Sequence, residues 1–114
     1  GLLWEHYVLN ELQARLQSRL IRYWRDKQGH EVDYIIERRG KNPIAIEAKW
    51  KSRDFDFSSL KTFMKQYPNA EAFVVTADLT SPMTKNINGF HVIFTGLTEF
   101  VKRITSEIDL RQAL

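Results

Sequence analysis

The sequence predicts a mixed α/β fold, in which one central sheet of about five strands is flanked by helices. Apolar residues recur at the i, i+3, i+4 spacing of amphipathic helices near the start, the middle and the end of the chain. Short runs rich in Ile, Val and Phe between them indicate strands. The resulting order is α-β-β-β-α-β-β-α. Two hairpin links and then a helical crossover predict a sheet with both antiparallel and parallel neighbours.

The first helix is expected from residue 2 to about residue 18. Its apolar residues fall on one face, and Glu5 points in the same direction. The residues that define this face are Val8, Leu9, Leu12 and Leu16. Because an amphipathic helix must bury its apolar face against a sheet, Glu5 is expected to point inward.

Three strands follow the first helix. Residues 20–25 are expected to form the first strand, and the Asp-Lys-Gln-Gly sequence of residues 26–29 is typical of a turn. Residues 32–37 and 44–50 are expected to form the second and third strands. The second half of the chain is predicted to begin with a helix that starts at Ser58 or Ser59 and ends before Pro68. A strand at 72–77, a long loop at 78–89 and a strand at 91–95 are expected to follow. The last predicted element is a helix through Leu97, Phe100, Val101 and Ile104, with Ser106 capping a last short helical tail.

Composition excludes several classes of protein. The 114 residues fit one domain, and 43% hydrophobic residues suffice for a core. The absence of cysteine excludes disulfides and thiolate metal sites, and the three histidines form no zinc pattern. No apolar run approaches the ~20 residues of a membrane span. We therefore expect a cytoplasmic domain covering residues 1–114, and the start at Gly1 indicates a piece of a longer protein.

Charged residues interrupt the apolar second and third strands. If these strands form a hairpin centred on Gly40, facing positions sum to 80, which places Asp33 opposite Glu47 and Glu31 opposite Lys49. Facing residues have Cβ atoms about 4.5–5.5 Å apart. Two carboxylates at that distance repel each other unless a cation lies between them, and a divalent metal beside a lysine would provide one.

The pattern assigns a role to each charged residue. Asp33 and Glu47 are candidate metal ligands, and Lys49 is placed to orient an attacking water. Glu5 joins them if the first helix packs on the same sheet face. The alternative for Glu47 and Lys49 is a solvated strand face, and for Glu5 it is a favourable place near the positive end of a helix dipole. The combination of all four residues favours a functional site.

Basic residues near the strand ends can hold phosphates, although a solvated basic surface explains each of them singly. These candidates are Arg22, Arg25, Lys27, Lys51 and Arg53, with Lys61 and Lys65 on the outer face of the second helix. The net charge of +3 permits a polyanionic partner. Trp24, Tyr34 and Trp50 are able to stack on bases, but core packing is the favoured interpretation. No arranged partner is expected for any histidine.

Several short motifs then occur in a family-specific order. They are Gly-Leu-Leu-Trp-Glu at 1–5, Tyr-Trp-Arg-Asp-Lys at 23–27, Gly-His-Glu-Val-Asp-Tyr at 29–34 and Ile-Glu-Ala-Lys at 46–49. The chain thereby resembles the PD-(D/E)xK nuclease superfamily, which has the restriction-endonuclease-like core. More narrowly, it resembles the uncharacterised C-terminal domain of prokaryotic AAA-type ATPases. Val32 stands where the superfamily's name has proline.

The resemblance implies Mg²⁺-dependent (or Mn²⁺-dependent) hydrolysis of DNA phosphodiesters in a chain that also carries an ATPase module. It implies Asp33 and Glu47 as ligands, Lys49 at the attacking water and Glu5 as an assisting group. Two alternatives remain open. One is a catalytically silent nucleic-acid-binding module, and the other is a protein-interaction module in which Arg25 and Lys27 pair with acidic partners.

Overall fold

The computed structural model describes residues 1–16 and 20–112, with side chains up to residue 106. Within these ranges the chain forms three helices and six strands. The helices are α1 (Leu2–Arg15), α2 (Ser58–Gln66) and α3 (Leu97–Gln112), and the strands are β1 (Ile21–Arg25), β2 (Glu31–Ile36), β3 (Ile44–Lys49), β4 (Glu71–Thr76), β5 (Met83–Ile87) and β6 (Phe90–Gly96). A short 3₁₀ helix, Ser52–Asp54, follows β3. The predicted mixed α/β class is confirmed.

All six described strands belong to one sheet in the order β1-β2-β3-β4-β6-β5. The first three strands are antiparallel, as the hairpin links predict. The crossover through α2 makes β4 parallel to β3, and β6 lies parallel to β4. The carboxyl ends of β3, β4 and β6 therefore meet at one end of the sheet, which we call the site end, and ligands commonly bind at such an end in α/β proteins.

The prediction of a loop at 78–89 is wrong, because β5 lies within that segment and gives the sheet six described strands where about five were expected. It pairs antiparallel with the edge of β6. Most of its residues are exposed, so it lacks the alternating apolar pattern of a half-buried strand. The turn carried the available signal: Asn88 and Gly89 both have positive φ, 52° and 85°, which is the geometry that favours Asn-Gly in two-residue hairpins.

Two apolar layers cover the sheet, one on each face. On one face, Val8 and Leu12 of α1 and Phe100 of α3 pack with Ile44 and Ile46 of β3. On the other face, Leu60, Phe63 and Met64 of α2 pack with Ala45 of β3 and Val74 of β4. Helices thus flank both faces, as predicted. Successive residues of β3 consequently contact different helices.

Two predicted helix ends differ from the structure. α1 ends at Arg15 because Leu16 takes an extended conformation and buries its side chain in the core, while residue 18, the expected end, lies outside the described ranges. α3 continues to Gln112, so Ser106 lies inside it and caps no separate tail. No helix in the described part of the chain is both long and apolar enough to cross a membrane.

Candidate functional site

The hairpin of β2 and β3 has the predicted register. Tyr34, Ile35 and Ile36 pair with Ile46, Ala45 and Ile44, so facing positions sum to 80. The ladder extends from the turn side only as far as Tyr34 and Ile46. Asp33 and Glu47 come next, at the point where backbone pairing has ended. Glu31 and Lys49 are not ladder partners, because the β2–β3 ladder ends at Tyr34 and Ile46. The Glu31 carboxylate pairs with Arg25 of β1.

A β-bulge explains why the two strands part at Asp33. In the β1–β2 ladder, Arg22 faces Ile35 and Trp24 faces Val32, so Asp33 and Tyr34 together oppose Tyr23 alone. An extra residue of this kind bends its strand and redirects the neighbouring side chains. Beyond the bulge, β2 remains paired with β1 as far as Glu31. The bulge therefore opens the side of β2 that faces β3.

The two carboxylates bond to the backbone groups at this opening, and we call Asp33 and Glu47 the carboxylate pair. The Asp33 N–H donates to Glu47 Oε1 at 3.3 Å, and the Ala48 N–H donates to Asp33 Oδ2 at 2.8 Å. These bonds fix both side chains across the strands. Asp33 Oδ1 and Glu47 Oε2 accept no hydrogen bond from any described residue, so each carboxylate retains one oxygen for another partner.

Burial raises the pKa of both acids of the carboxylate pair. Glu47 is 6% exposed, and burial, followed by the charge of Asp33, raises its pKa to about 8. Burial also raises the pKa of Asp33, where the hydrogen bond from the Ala48 N–H acts in the opposite direction. At neutral pH the pair therefore favours retention of a proton on Glu47 unless a cation is bound. Perturbed acids that are close together are frequent in functional sites.

Lys49 lies on the same face of β3 as Glu47, since side chains alternate and Ala45 marks that face as the α2 side. Its ammonium makes no ion pair within 4.0 Å among the described residues. Its charge nevertheless lowers the pKa of Asp33, Glu47 and Asp56, the last of which lies just before α2. Lys49 is thus near both the carboxylate pair and the start of α2.

Glu5 approaches from the other face of the sheet. All four charges would share one face only if α1 packed on the face of the sheet that carries Glu47 and Lys49. It packs instead on the opposite face, against Ile44, Ile46 and Ala48. Glu5 lies in the first turn of α1, and its backbone carbonyl accepts a 2.8 Å hydrogen bond from the Tyr34 hydroxyl. Its charge raises the pKa of both Asp33 and Glu47. The four predicted residues are therefore close enough to interact electrostatically.

The donor set matches a small, hard cation in composition. Among the described residues, no group of three or more His, Cys, Asp or Glu side chains is arranged to hold a metal ion. The carboxylate pair offers two free oxygens, and Mg²⁺ is commonly held by one or two carboxylates together with water and substrate phosphate. A divalent cation there would also offset the charge of Asp33, which helps to raise the pKa of Glu47.

Comparison with known families identifies the family of this chain. A family model described as a domain of unknown function (DUF4143) matches residues 1–97. The chain belongs to this family. The DUF4143 domain occurs at the C-terminus of AAA-type ATPases in general, which confirms that part of the narrower resemblance, while the nuclease resemblance stays a prediction. No curated protein matches the chain.

The DUF4143 domain brings four of the five predicted phosphate-binding bases to the site end. They are Arg25 and Lys27, which end and follow β1, and Lys51 and Arg53, which follow β3. Arg22 lies three residues earlier on β1 and pairs with Glu37 at 2.7 Å. Arg25 pairs with Glu31 at the same distance. Lys51 and Arg53 make no ion pair among the described residues, so their charges remain available.

Two expectations about other side chains are wrong. His30 has a partner, because its Nδ1 lies 2.8 Å from Asp26 Oδ2 and the Asp26 carboxylate also accepts the His30 N–H. The sequence contained a signal for this contact, because an acid precedes the histidine by four residues and a glycine turn lies between them. Trp50 is 54% exposed, although alternation placed it on the apolar face, because β3 ends at Lys49 and the core ends with it.

Proposed function

We propose that this domain binds Mg²⁺ or Mn²⁺ between Asp33 and Glu47 and hydrolyses phosphodiester bonds of DNA. The carboxylate pair supports this proposal most strongly. Two acids are held by backbone hydrogen bonds where two strands part, and each retains a free oxygen. A buried acid pair without a cation is unfavourable, so a protein that needs only a stable sheet has no reason to place one there.

Each of the four charged residues would have its own role in this reaction. Asp33 and Glu47 would hold the cation, which supplies positive charge to the phosphate as the phosphorus–oxygen bond breaks. Lys49, on the face of Glu47 and without an ion-pair partner among the described residues, would hold and orient the attacking water. Glu5 would assist from the opposite side through its charge. These are the roles that the nuclease resemblance implies.

DNA is the proposed polyanion, and an ATPase module in the same longer chain is the proposed neighbour. The net charge of +3 supports a nucleic acid, as do Lys51 and Arg53 at the site end, for which the described residues supply no ion-pair partner. Membership of a family found at the C-terminus of AAA-type ATPases supports the second. A chain without cysteine in that context is proposed to work in the cytoplasm.

A cleavage assay tests the proposal. The purified chain is incubated with labelled single-stranded, duplex and branched DNA in Mg²⁺, in Mn²⁺ and in EDTA. We expect cleavage that requires the metal and falls by at least about 100-fold in Asp33→Asn and in Lys49→Ala. Lys41→Ala is the matched control, because Lys41 is an exposed lysine at the hairpin turn, at the other end of β3. It should retain full activity.

Cleavage that is absent from the wild type, or that survives both site substitutions, would contradict hydrolysis. DNA binding that weakens steeply with salt would then support the silent nucleic-acid-binding module. Absence of any DNA affinity would leave the protein-interaction module.

A further inference from the structure

Three aromatic side chains form an exposed surface at the site end, which we call the aromatic surface. The rings of Trp4 and Tyr7 stack with centroids 5.8 Å apart and planes 17° apart, and Trp50 meets Trp4 edge-on at 5.6 Å. Tyr7 and Trp50 are each 54% exposed. Leu3 beside them is 87% exposed. Apolar side chains that cluster in water commonly mark a binding site.

The aromatic surface is held in a fixed position. The indole N–H of Trp4 donates to the carbonyl of Val75 at 3.1 Å, which anchors the central ring to the end of β4. The carbonyl of Trp50 accepts the Ala77 N–H at 3.1 Å, which holds the segment after β3 against the segment after β4. Rings fixed before binding lose little conformational entropy when a ligand stacks on them.

A groove of about 770 Å³ lies beside these rings, between α1 and α3. This volume is within the range of small-ligand sites. The aromatic surface lines one side, and residues of α3 such as Leu97 and Val101 line the other. The volume of the groove is therefore sufficient for flat rings that contact Trp4, Tyr7 and Trp50.

Charge around the groove is compatible with a polyanion. Its two acids are each near a base one turn further along the same helix, Glu11 with Arg15 and Glu99 with Lys102, both at 3.9 Å. Lys51 and Arg53 directly follow the aromatic Trp50, are exposed, and make no ion pair among the described residues. Two cations without an ion pair in the described part of the chain thus follow Trp50, which lines the groove.

We propose that the aromatic surface stacks the unpaired bases of a single-stranded nucleic acid and leads its backbone to the carboxylate pair. Base–aromatic stacking accepts every base, and it requires bases that are free of a complementary strand. Trp50 adjoins Lys49 in sequence but faces α1, so the bases and the phosphate to be cut would lie on different sides of the sheet end. The proposal rests on the proposed function and specifies its substrate class.

Binding in EDTA tests the inference without cleavage. Fluorescence anisotropy compares a labelled oligothymidylate single strand with a duplex of the same length. We expect the wild type to prefer the single strand and Trp50→Ala and Tyr7→Ala each to weaken that binding by about tenfold or more. Trp50→Phe should largely restore it. Tyr67→Ala is the matched control, because Tyr67 is 46% exposed and stacks on Phe63, but it follows the far end of α2.

Thermal melting of every variant separates lost binding from lost folding. Unchanged single-strand affinity in folded Trp50→Ala and Tyr7→Ala would overturn the inference, as would equal weakening in Tyr67→Ala. No affinity for either DNA form would also overturn it and assign the groove to a protein partner. Cleavage that is lost in Asp33→Asn but retained in Trp50→Ala would reject this inference and leave the proposed hydrolysis in place. Single-strand binding that needs Trp50, in a chain that never cleaves, retains the inference and rejects hydrolysis.

Discussion

The two ends of the β2–β3 hairpin differ in almost every physical respect. Near the turn, the ladder is regular and Ile36 faces Ile44, with both side chains buried in the core. Arg38 beside that turn pairs with Glu71 of β4. At the other end, the bulge separates the strands, carboxylates replace ladder partners, and burial raises the pKa of Glu47 to about 8.

We therefore attribute the stability of the hairpin to its turn end and the proposed function to its open end. Apolar burial at the turn end lowers the free energy of the folded state and sets the register. That register then brings Asp33 and Glu47 together at the open end, where their repulsion costs free energy. Substitutions that change one end at a time test this division.

The largest effect is expected at the turn end. Ile36 is fully buried, so Ile36→Ala should lower the free energy of unfolding by about 2–5 kcal/mol through lost burial and the cavity that remains. Urea unfolding followed by circular dichroism measures it. Leu3→Ala, at an 87% exposed position, should change stability by less than about 0.5 kcal/mol. Equal effects of the two substitutions would contradict the assignment of stability to this end.

The open end should make stability depend on pH. The pKa of Glu47 rises from 4.5 to about 8 on folding, so between these values the folded state binds more protons. The contribution of Glu47 to the free energy of unfolding should therefore be complete below about pH 4.5, fall by roughly a few kcal/mol as pH rises to about 8, and change little above that. Asp33 acts in the same direction. Metal-free unfolding at a series of pH values measures this fall.

Glu47→Gln removes the titrating group and should flatten this pH profile, and it should make the metal-free domain more stable than the wild type at pH 8. Glu37→Gln is the matched control, since Glu37 is exposed and paired with Arg22. It should retain the wild-type slope. Stability that rises with pH, or an unchanged slope in Glu47→Gln, would show that the open end carries no such strain.

The smallest effect is expected from the ion pair beside the open end. Arg25 and Glu31 lie 2.7 Å apart, but more than half of each side chain is exposed. Arg25→Ala should therefore lower the free energy of unfolding by less than about 1 kcal/mol, and high salt should reduce the difference. A loss as large as that of Ile36→Ala would mean that this pair, rather than the core, holds β1 to β2.

The register was predictable because apolar alternation in both strands and a turn at Gly40 leave one pairing that buries Ile36 and Ile44 together. The proximity of Asp33 and Glu47 followed from it. The bulge was not predictable, because nothing in the residue types of Asp33 and Tyr34 distinguishes a bulged pair from a regular strand. Sequence reasoning therefore located the acids without showing that backbone N–H groups hold them.

Other misses have different physical causes. β5 is an exposed edge strand, so burial leaves no pattern in its sequence, although Asn88 and Gly89 signalled its turn. The face of α1 was not determined, because an amphipathic helix fits either apolar layer. Trp50 follows the alternation of β3 but lies beyond the last core residue. Periodicity describes where a side chain points and does not show where the core ends.

Calorimetric titration of the chain with Mn²⁺ at pH 7, in two buffers of different ionisation enthalpy, tests the central claim most directly. We expect about one Mn²⁺ bound per chain with release of a proton, because Glu47 must lose its proton to coordinate the metal. Asp33→Asn and Glu47→Gln should each weaken binding by at least about tenfold. No binding of Mn²⁺ to the wild type at millimolar concentration, or wild-type affinity in both variants, would contradict this claim.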